Sequence, residues 1–298
     1  MKKLLNLVLI SLFVLFLSAC GEGEDQPDPL PDPQVFCKGA GYTYDYESLD
    51  YQLVWSDEFD GDTLDLDKWT YEVNGSGGGN NELQYYTDQN TLVEDGLLKI
   101  IAKKESYNNR EYTSSRITSD FDFTYGIVEI RTKVPPGRGT WAANWMMPRN
   151  STYGIWPNSG EIDIMEYVGY MPEVVHSTVH TKLFNHKLGS QKGDTLTIPN
   201  LEDEFQVYKV EWLPDKIIFS VDDVEIFTFW PGQYLDCPEF GQWPFDHDFF
   251  IILNIAIGGD WGGVEGVDDT IFPTTMEVDY VRVYQDESIT NIVQEPVE

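Results

Sequence analysis

Three carboxylates fall within six residues at Glu161-Ile162-Asp163-Ile164-Met165-Glu166, and every residue between them is apolar. Such a composition suits a strand interior, where a carboxylate is costly to bury unless something uses it. On a regular strand side chains alternate, so Glu161 and Asp163 share one face and Glu166 points to the other. One extra residue in a β-bulge near Ile164-Met165 brings Glu166 round to the same face. The Cα atoms of Glu161 and Glu166 are then roughly 13 Å apart, at about 3.3 Å per step. Two Glu side chains leaning together shorten this towards the ~5 Å carboxyl separation of retaining glycosidases. The plainer alternative is a surface strand with scattered acids. Ile162, Ile164 and Met165 oppose it, because they ask for burial on the other face. The chemistry that suits this stretch is cleavage of a glycosidic bond.

Such a strand needs a sheet around it. Leu97 to Ala102 reads as a strand, and Val128, Ile130, Thr132 and Val134 alternate with Glu129, Arg131 and Lys133 as a half-buried one. Phe205 to Trp212 and Lys216 to Val221 read as hairpin arms about Leu213-Pro214-Asp215, and Asp222-Asp223 marks the next turn before Val224 to Phe229. Phe249 to Ile257 is almost continuously apolar, hence a central strand, and Met276 to Tyr284 closes the series. No helical period lasts long enough to set the architecture, and no internal repeat is visible. The fold class predicted is all-β, a jelly-roll β-sandwich of two packed antiparallel sheets with an open substrate cleft.

The chain has 298 residues, 41% hydrophobic and 14% aromatic, with a formal charge of −32. So negative a protein lacks the Lys and Arg footprint that nucleic acid requires, and its field disfavours sulfated polysaccharides. A neutral glycan fits better, and a monomer is expected. Met1-Lys2-Lys3 followed by the apolar run Leu4 to Leu17 has the order of a secretory signal and is short for a membrane span. Leu17-Ser18-Ala19-Cys20 resembles a bacterial lipobox, which makes Cys20 the lipidated residue, 1–19 the signal peptide and the lipid the only membrane contact. Gly21-Glu22-Gly23-Glu24-Asp25 resembles a lipoprotein surface-export signal, so the expected location is the outer membrane, at the cell surface. Residues 20–50 are acidic and Pro-rich, an extended tether. The catalytic domain is expected over 51–286 and a polar tail over 287–298. Cys37 and Cys237 remain, and whether they pair is open.

With these neighbours in place, residues 52–285 resemble family 16 of the glycoside hydrolases, most of all its laminarinase-like endo-β-1,3-glucanases. The resemblance rests on Trp55-Ser56-Asp57-Glu58-Phe59, Asn80-Asn81-Glu82-Leu83-Gln84-Tyr85-Tyr86, Gly139-Thr140-Trp141 through Trp145, Trp156-Pro157, the central acidic motif, His180, and Asn254 through Trp261. The extra Met165 marks the bulged version, which the lichenase branch lacks. The resemblance implies that Glu161 is the nucleophile, Glu166 the acid and then the base, and Asp163 an assisting charge that keeps a proton in the cluster. It implies that Trp141, Trp145 and Trp156 line the cleft, and that Asn81, Glu82, Gln84, Arg116 and His180 contact substrate. Trp69, Trp212 and Trp230 are assigned to packing, and Trp261 stays open. Catalysis should need no cofactor. A structural Ca²⁺ is implied, held by the carbonyls of Glu58 and Gly96 and by Asp279. Two other readings stand beside β-1,3-glucan hydrolysis. One is a related enzyme acting on mixed-linkage glucan, agar or carrageenan, the last needing a basic subsite from residues such as Arg110, Arg131, Lys133, Arg138 and Arg149. The other is a surface glycan-binding lipoprotein without activity, which the presence of both glutamates opposes.

Overall fold

Alternating and apolar runs become strands throughout residues 48–230 and 240–290, which the computed structural model describes. The chain runs through β1 (Gln52–Asp57), β2 (Trp69–Tyr71), β3 (Gln84–Tyr86), β4 (Thr91–Glu94), β5 (Leu97–Ala102) and β6 (Tyr112–Ser114). It continues through β7 (Arg116–Phe123), β8 (Gly126–Lys133), β9 (Thr140–Pro148), β10 (Glu161–Val168), β11 (Val174–His180) and β12 (Lys192–Thr197). Then come β13 (Gln206–Leu213), β14 (Lys216–Val221), β15 (Val224–Phe229), β16 (Phe249–Ile257) and β17 (Thr274–Gln285). Two short helices, α1 (Gly259–Gly262) and α2 (Glu287–Thr290), follow β16 and β17.

One sheet has the order β15-β14-β13-β8-β17-β5-β4, with β1 also on β17, and the other β12-β11-β10-β9-β16-β7-β2. Both are antiparallel throughout, and β3 pairs with β6 in a small parallel ribbon. The fold is therefore the expected two-sheet sandwich. In β8 burial alternates strictly, Val128, Ile130 and Thr132 facing inward between Glu129, Arg131 and Lys133. The almost continuous apolar run of β16 is a central strand between β9 and β7, buried along nearly its whole length. Asp222 and Asp223 both take positive φ, the backbone of the tight hairpin turn joining β14 to β15.

The space between the sheets is filled by large side chains. Trp212 is fully buried, with its ring edge-on to Tyr125 at 5.3 Å and to Phe249 at 5.2 Å, and its Nε1 donates to the Phe245 carbonyl at 3.2 Å. Trp69 is buried as assigned, and its Nε1 donates to Asp57 Oδ2 at 2.8 Å. Trp230 does not pack: it is 41% exposed just beyond the end of β15, whose last residue, Phe229, is the one that is buried. The expected polar tail begins with α2, whose Ile289 is buried in the core. Cys20, Cys37 and Cys237 lie outside the described residues. Among the described residues, no helix is long and apolar enough to cross a membrane.

Candidate active site

β10 lies between β9 and β11, and both ladders slip at the same place. Towards β9, Asp163 faces Trp145, whereas Met165 faces Asn144 and Glu166 faces Ala143. Towards β11, Asp163 faces Thr178 and Glu166 faces His176. β10 thus carries one residue more than either neighbour, the bulge that the spacing predicts. Ile162, Ile164 and Met165 are buried in the sandwich core, and Glu161, Asp163 and Glu166 line one hollow on the outer face. Gly160 precedes them at φ +89°, and a Cβ there would come within 2.9 Å of the Phe245 ring. Only glycine lets the chain enter β10 so close to that ring.

The three acids differ in environment. Glu161 Oε2 accepts the Trp156 indole N–H at 2.5 Å, and Glu166 Oε1 accepts that of Trp141 at 3.1 Å. His180 faces Glu161 across the ladder, with Nε2 3.3 Å from Asp163 Oδ2 and 3.9 Å from Glu161 Oε1. Asp163 is only 2% exposed, whereas the two glutamates keep part of their surface in the cleft. Burial, then the Glu166 charge, pushes Asp163 well above the carboxylate range. Burial, then the Asp163 charge, lifts Glu161 to about 8, while His180 and the Trp156 N–H pull it down. Burial lifts Glu166 to about 7 against the pull of His180, with the Glu161 charge adding to the rise. Three acids this close cannot all ionise, so the cluster holds protons in common at neutral pH.

The acids lie where two hollows meet. Glu161, Glu166, Trp141 and Asn80 belong to both, with Arg116, Trp145 and Asn254 on one side. His176, His180, Gln191 and Trp261 line the other, a space of about 370 Å³. The sequence model of glycosyl hydrolases family 16 matches residues 78–282. This chain belongs to glycosyl hydrolase family 16. It is 49% identical over 261 residues to a beta-glucanase of Rhodothermus marinus, spanning 84% of this chain and 91% of that one. A glucan endo-1,3-beta-glucosidase of Cryptopygus antarcticus is 39% identical, spanning 77% and 90%. The X-ray structure of the laminarinase from Rhodothermus marinus superposes with a TM-score of 0.77 at 49% identity, covering 80% of this chain and 99% of that one. The protein is a glycoside hydrolase of the jelly-roll type.

Within this family 16 site, the residues expected to touch sugar divide into two groups. Trp141 and Trp145 line the hollows; Trp156 lines neither and reaches the site through its N–H on Glu161. His180 is buried against the acids and also walls the larger hollow. Arg116 lines the other hollow, ion-paired to Glu72 at 2.7 Å, with its guanidinium 4.7 Å from the centre of the Trp145 ring. Gln84 is buried and braces the loop: Oε1 accepts the Ile257 N–H at 2.8 Å, and Nε2 donates to Glu82 at 2.6 Å. Glu82 is buried, accepting from Gln84 and from the Tyr86 hydroxyl, although it borders the hollow. Asn81 donates to Asp260, and its neighbour Asn80 is the one that lines the cleft. Gly78 allows this loop to close, since a Cβ there would fall on the Glu82 carboxylate.

Asn254 is the lone amide of the apolar strand β16. Its Oδ1 accepts the Trp145 indole N–H at 2.7 Å, and its Nδ2 donates to Tyr86 at 3.2 Å, joining the platform to the Glu82 network. Trp261, left open by the sequence, belongs to the cleft, edge-on to Trp141 at 5.4 Å and to His176 at 4.9 Å. His176, Thr178 and His180 alternate along the outer face of β11, a period-2 signal that could have been found.

The basic residues considered for a sulfate subsite are each engaged within the protein. Arg131 pairs with Asp279, Lys133 with Glu277 and Arg149 with Asp122, while Arg110 and Arg138 donate to loop carbonyls. Family 16 glucanases need no catalytic cofactor. Glu161, Asp163 and His180 present ligand atoms within 4.8 Å of one another, so a cation there would occupy the Glu161 carboxylate. Away from the cleft, β17 pairs with β5 as far as Val278 and with β1 from Val281. Asp279 therefore stands where Glu58, after β1, and Gly96, before β5, meet the same edge. The Glu58 carboxylate is held by Arg282 at 2.9 and 2.7 Å, and one Asp279 oxygen by Arg131 at 2.5 Å. The two carbonyls and the second Asp279 oxygen are donors that suit a hard cation.

Proposed function

We propose that the protein is a retaining endo-β-1,3-glucanase acting on laminarin-type glucans. The observation that carries this reading is the placing of Glu161 and Glu166 at the junction of two hollows, with aromatic and polar walls on either side. A chain can then be gripped on both sides of the scissile bond, which suits cleavage within a polymer. The Glu161 carboxylate attacks the anomeric carbon while Glu166 gives its proton to the departing glycosidic oxygen. Glu166, now ionised, takes a proton from water, which attacks the anomeric carbon and frees Glu161 with net retention. Asp163 holds a proton beside Glu161, and Trp156 donates to the nucleophile. The relatives named above, a beta-glucanase and a glucan endo-1,3-beta-glucosidase, support the substrate class. The paired state of Arg131, Lys133 and Arg149 disfavours sulfated galactans. The test is to incubate the protein with laminarin, lichenan, agarose and carrageenan and size the products. Mixed oligosaccharides from laminarin support the reading, and cleavage of carrageenan alone overturns it.

The same proposal includes export as a lipoprotein anchored through Cys20, at the outer membrane and facing outward. Palmitate labelling that is lost in Cys20→Ala tests the anchor, and protease digestion of intact cells tests the side. It also includes Ca²⁺ held by Asp279 and the carbonyls of Glu58 and Gly96. A chelator should then lower the melting temperature, and an unchanged melting curve would refute the ion.

A further inference from the structure

A bulge takes a backbone carbonyl out of the ladder, and a carbonyl buried without a partner is costly. In β10 the residue outside both registers is Ile164, whose side chain is buried in the core. Its carbonyl is not left unpaired. Ser177 Oγ donates to the Ile164 oxygen at 2.8 Å. Ser177 lies on the neighbouring strand between Val175 and Val179, facing the core, and all three are fully buried. A hydroxyl on an apolar inward face is itself costly unless bonded, and this one is bonded at the bulge. It also sits between Thr178 and His176, the β11 partners of Asp163 and Glu166.

We propose that Ser177 is a positioning residue for the acid/base. Its hydroxyl supplies the hydrogen bond that the extra residue removes from the ladder. It thereby fixes the register that turns Glu166 into the cleft and onto Trp141. Without it, the bulge can slide along β10, and a one-residue slip sends a side chain to the opposite face. The proposal rests on the reading of Glu166 as acid and base, and it predicts where the damage of a Ser177 substitution should appear. Departure of a sugar needs a proton from Glu166. Departure of dinitrophenolate does not, and azide attacks the glycosyl-enzyme without needing a base.

The experiment compares wild type, Ser177→Ala, Ser177→Thr and Glu166→Ala on laminarin and on 2,4-dinitrophenyl β-laminaribioside with azide, with a melting curve for each. Ser177→Ala should lose at least tenfold in kcat on laminarin at little change in KM. On the aryl glycoside with azide it should stay within threefold of wild type. Ser177→Thr, which keeps Oγ, should recover most of the loss. Equal losses on both substrates in a protein folded at the assay temperature would overturn the proposal, as would full laminarin activity in Ser177→Ala. Wild-type activity on laminarin in Glu166→Ala would instead overturn the role of Glu166, so the two failures are distinguishable.

Discussion

At the scale of single residues, the site works by sharing protons among acids that differ in their donors. Glu161 receives the Trp156 N–H, and Trp156→Phe removes that donor while keeping a ring. A hydrogen bond to a charged group contributes about 1.5–3 kcal/mol. The expected loss in kcat is therefore roughly 10- to 100-fold with little change in KM, read from steady-state kinetics on laminarin. In the proposed mechanism the first step needs the proton on Glu166, and the cluster gives up protons near 7 to 8. The profile of kcat/KM should accordingly fall on the alkaline side across that window, and a plateau extending well above it would contradict the shared-proton picture. The same groups affect stability with a definite sign. Folding raises the Glu161 pKa from the usual 4.5 to about 8, so the native state binds the extra proton and stability declines as pH rises between these values. Glu161→Gln should abolish hydrolysis. Its melting temperature should exceed that of wild type at pH 8 by about 3 °C or more, and by much less near pH 5, as measured by calorimetry.

At the scale of the element, the bulge decides which side of β10 each acid occupies. Deleting Met165 removes the extra residue and leaves Glu166 able to pair with Ala143 and His176 in an unbroken ladder. Such a variant should keep Glu161, Asp163 and Glu166 on one face and retain measurable laminarin cleavage. Its melting temperature should fall, because a fully buried side chain is lost from the core. Deleting Ile164 and Met165 together leaves Glu166 one step from Asp163, sends it inward and should abolish cleavage altogether. Product formation from laminarin and a melting curve separate the two outcomes. β11 backs this strand with His176, Thr178 and His180 towards the cleft and Val175, Ser177 and Val179 towards the core.

At the scale of the whole molecule, the sandwich gives the cleft a rigid floor and the charge sets what approaches it. With a formal charge of −32 and its candidate sulfate-binding cations paired to acids or bonded to loop carbonyls, the protein offers a polyanion little attraction. Raising NaCl from 20 to 500 mM shortens the Debye length from roughly 20 to 4 Å. Hydrolysis of neutral laminarin should change less than about twofold over that range, and a steep salt dependence would point to a charged substrate instead.

The sequence by itself determined the strands with a clear period, such as β8 and β16, the two-sheet class, and the need for a bulge between Asp163 and Glu166. Each of these follows from side-chain alternation, which is local and written residue by residue. Motif order also singled out Glu161, Asp163, Glu166, Trp141, Trp145 and His180, and the fold gathers these six around the two hollows. Only the tertiary structure decided the rest. Gln84 bonds the Ile257 N–H, and Glu82 accepts from Gln84 and Tyr86 while still bordering the hollow, so both hold a loop to β16. Asn80 replaced Asn81 in the cleft, and Trp230 lay outside the core. Short strands such as β2, β3 and β6 were not legible, since three residues carry no period and form only where a neighbour supplies the ladder. The pairing of Ser177 with the Ile164 carbonyl is of the same kind. A hydroxyl between two valines states no partner, and only the register of β11 against β10 puts that carbonyl in front of it.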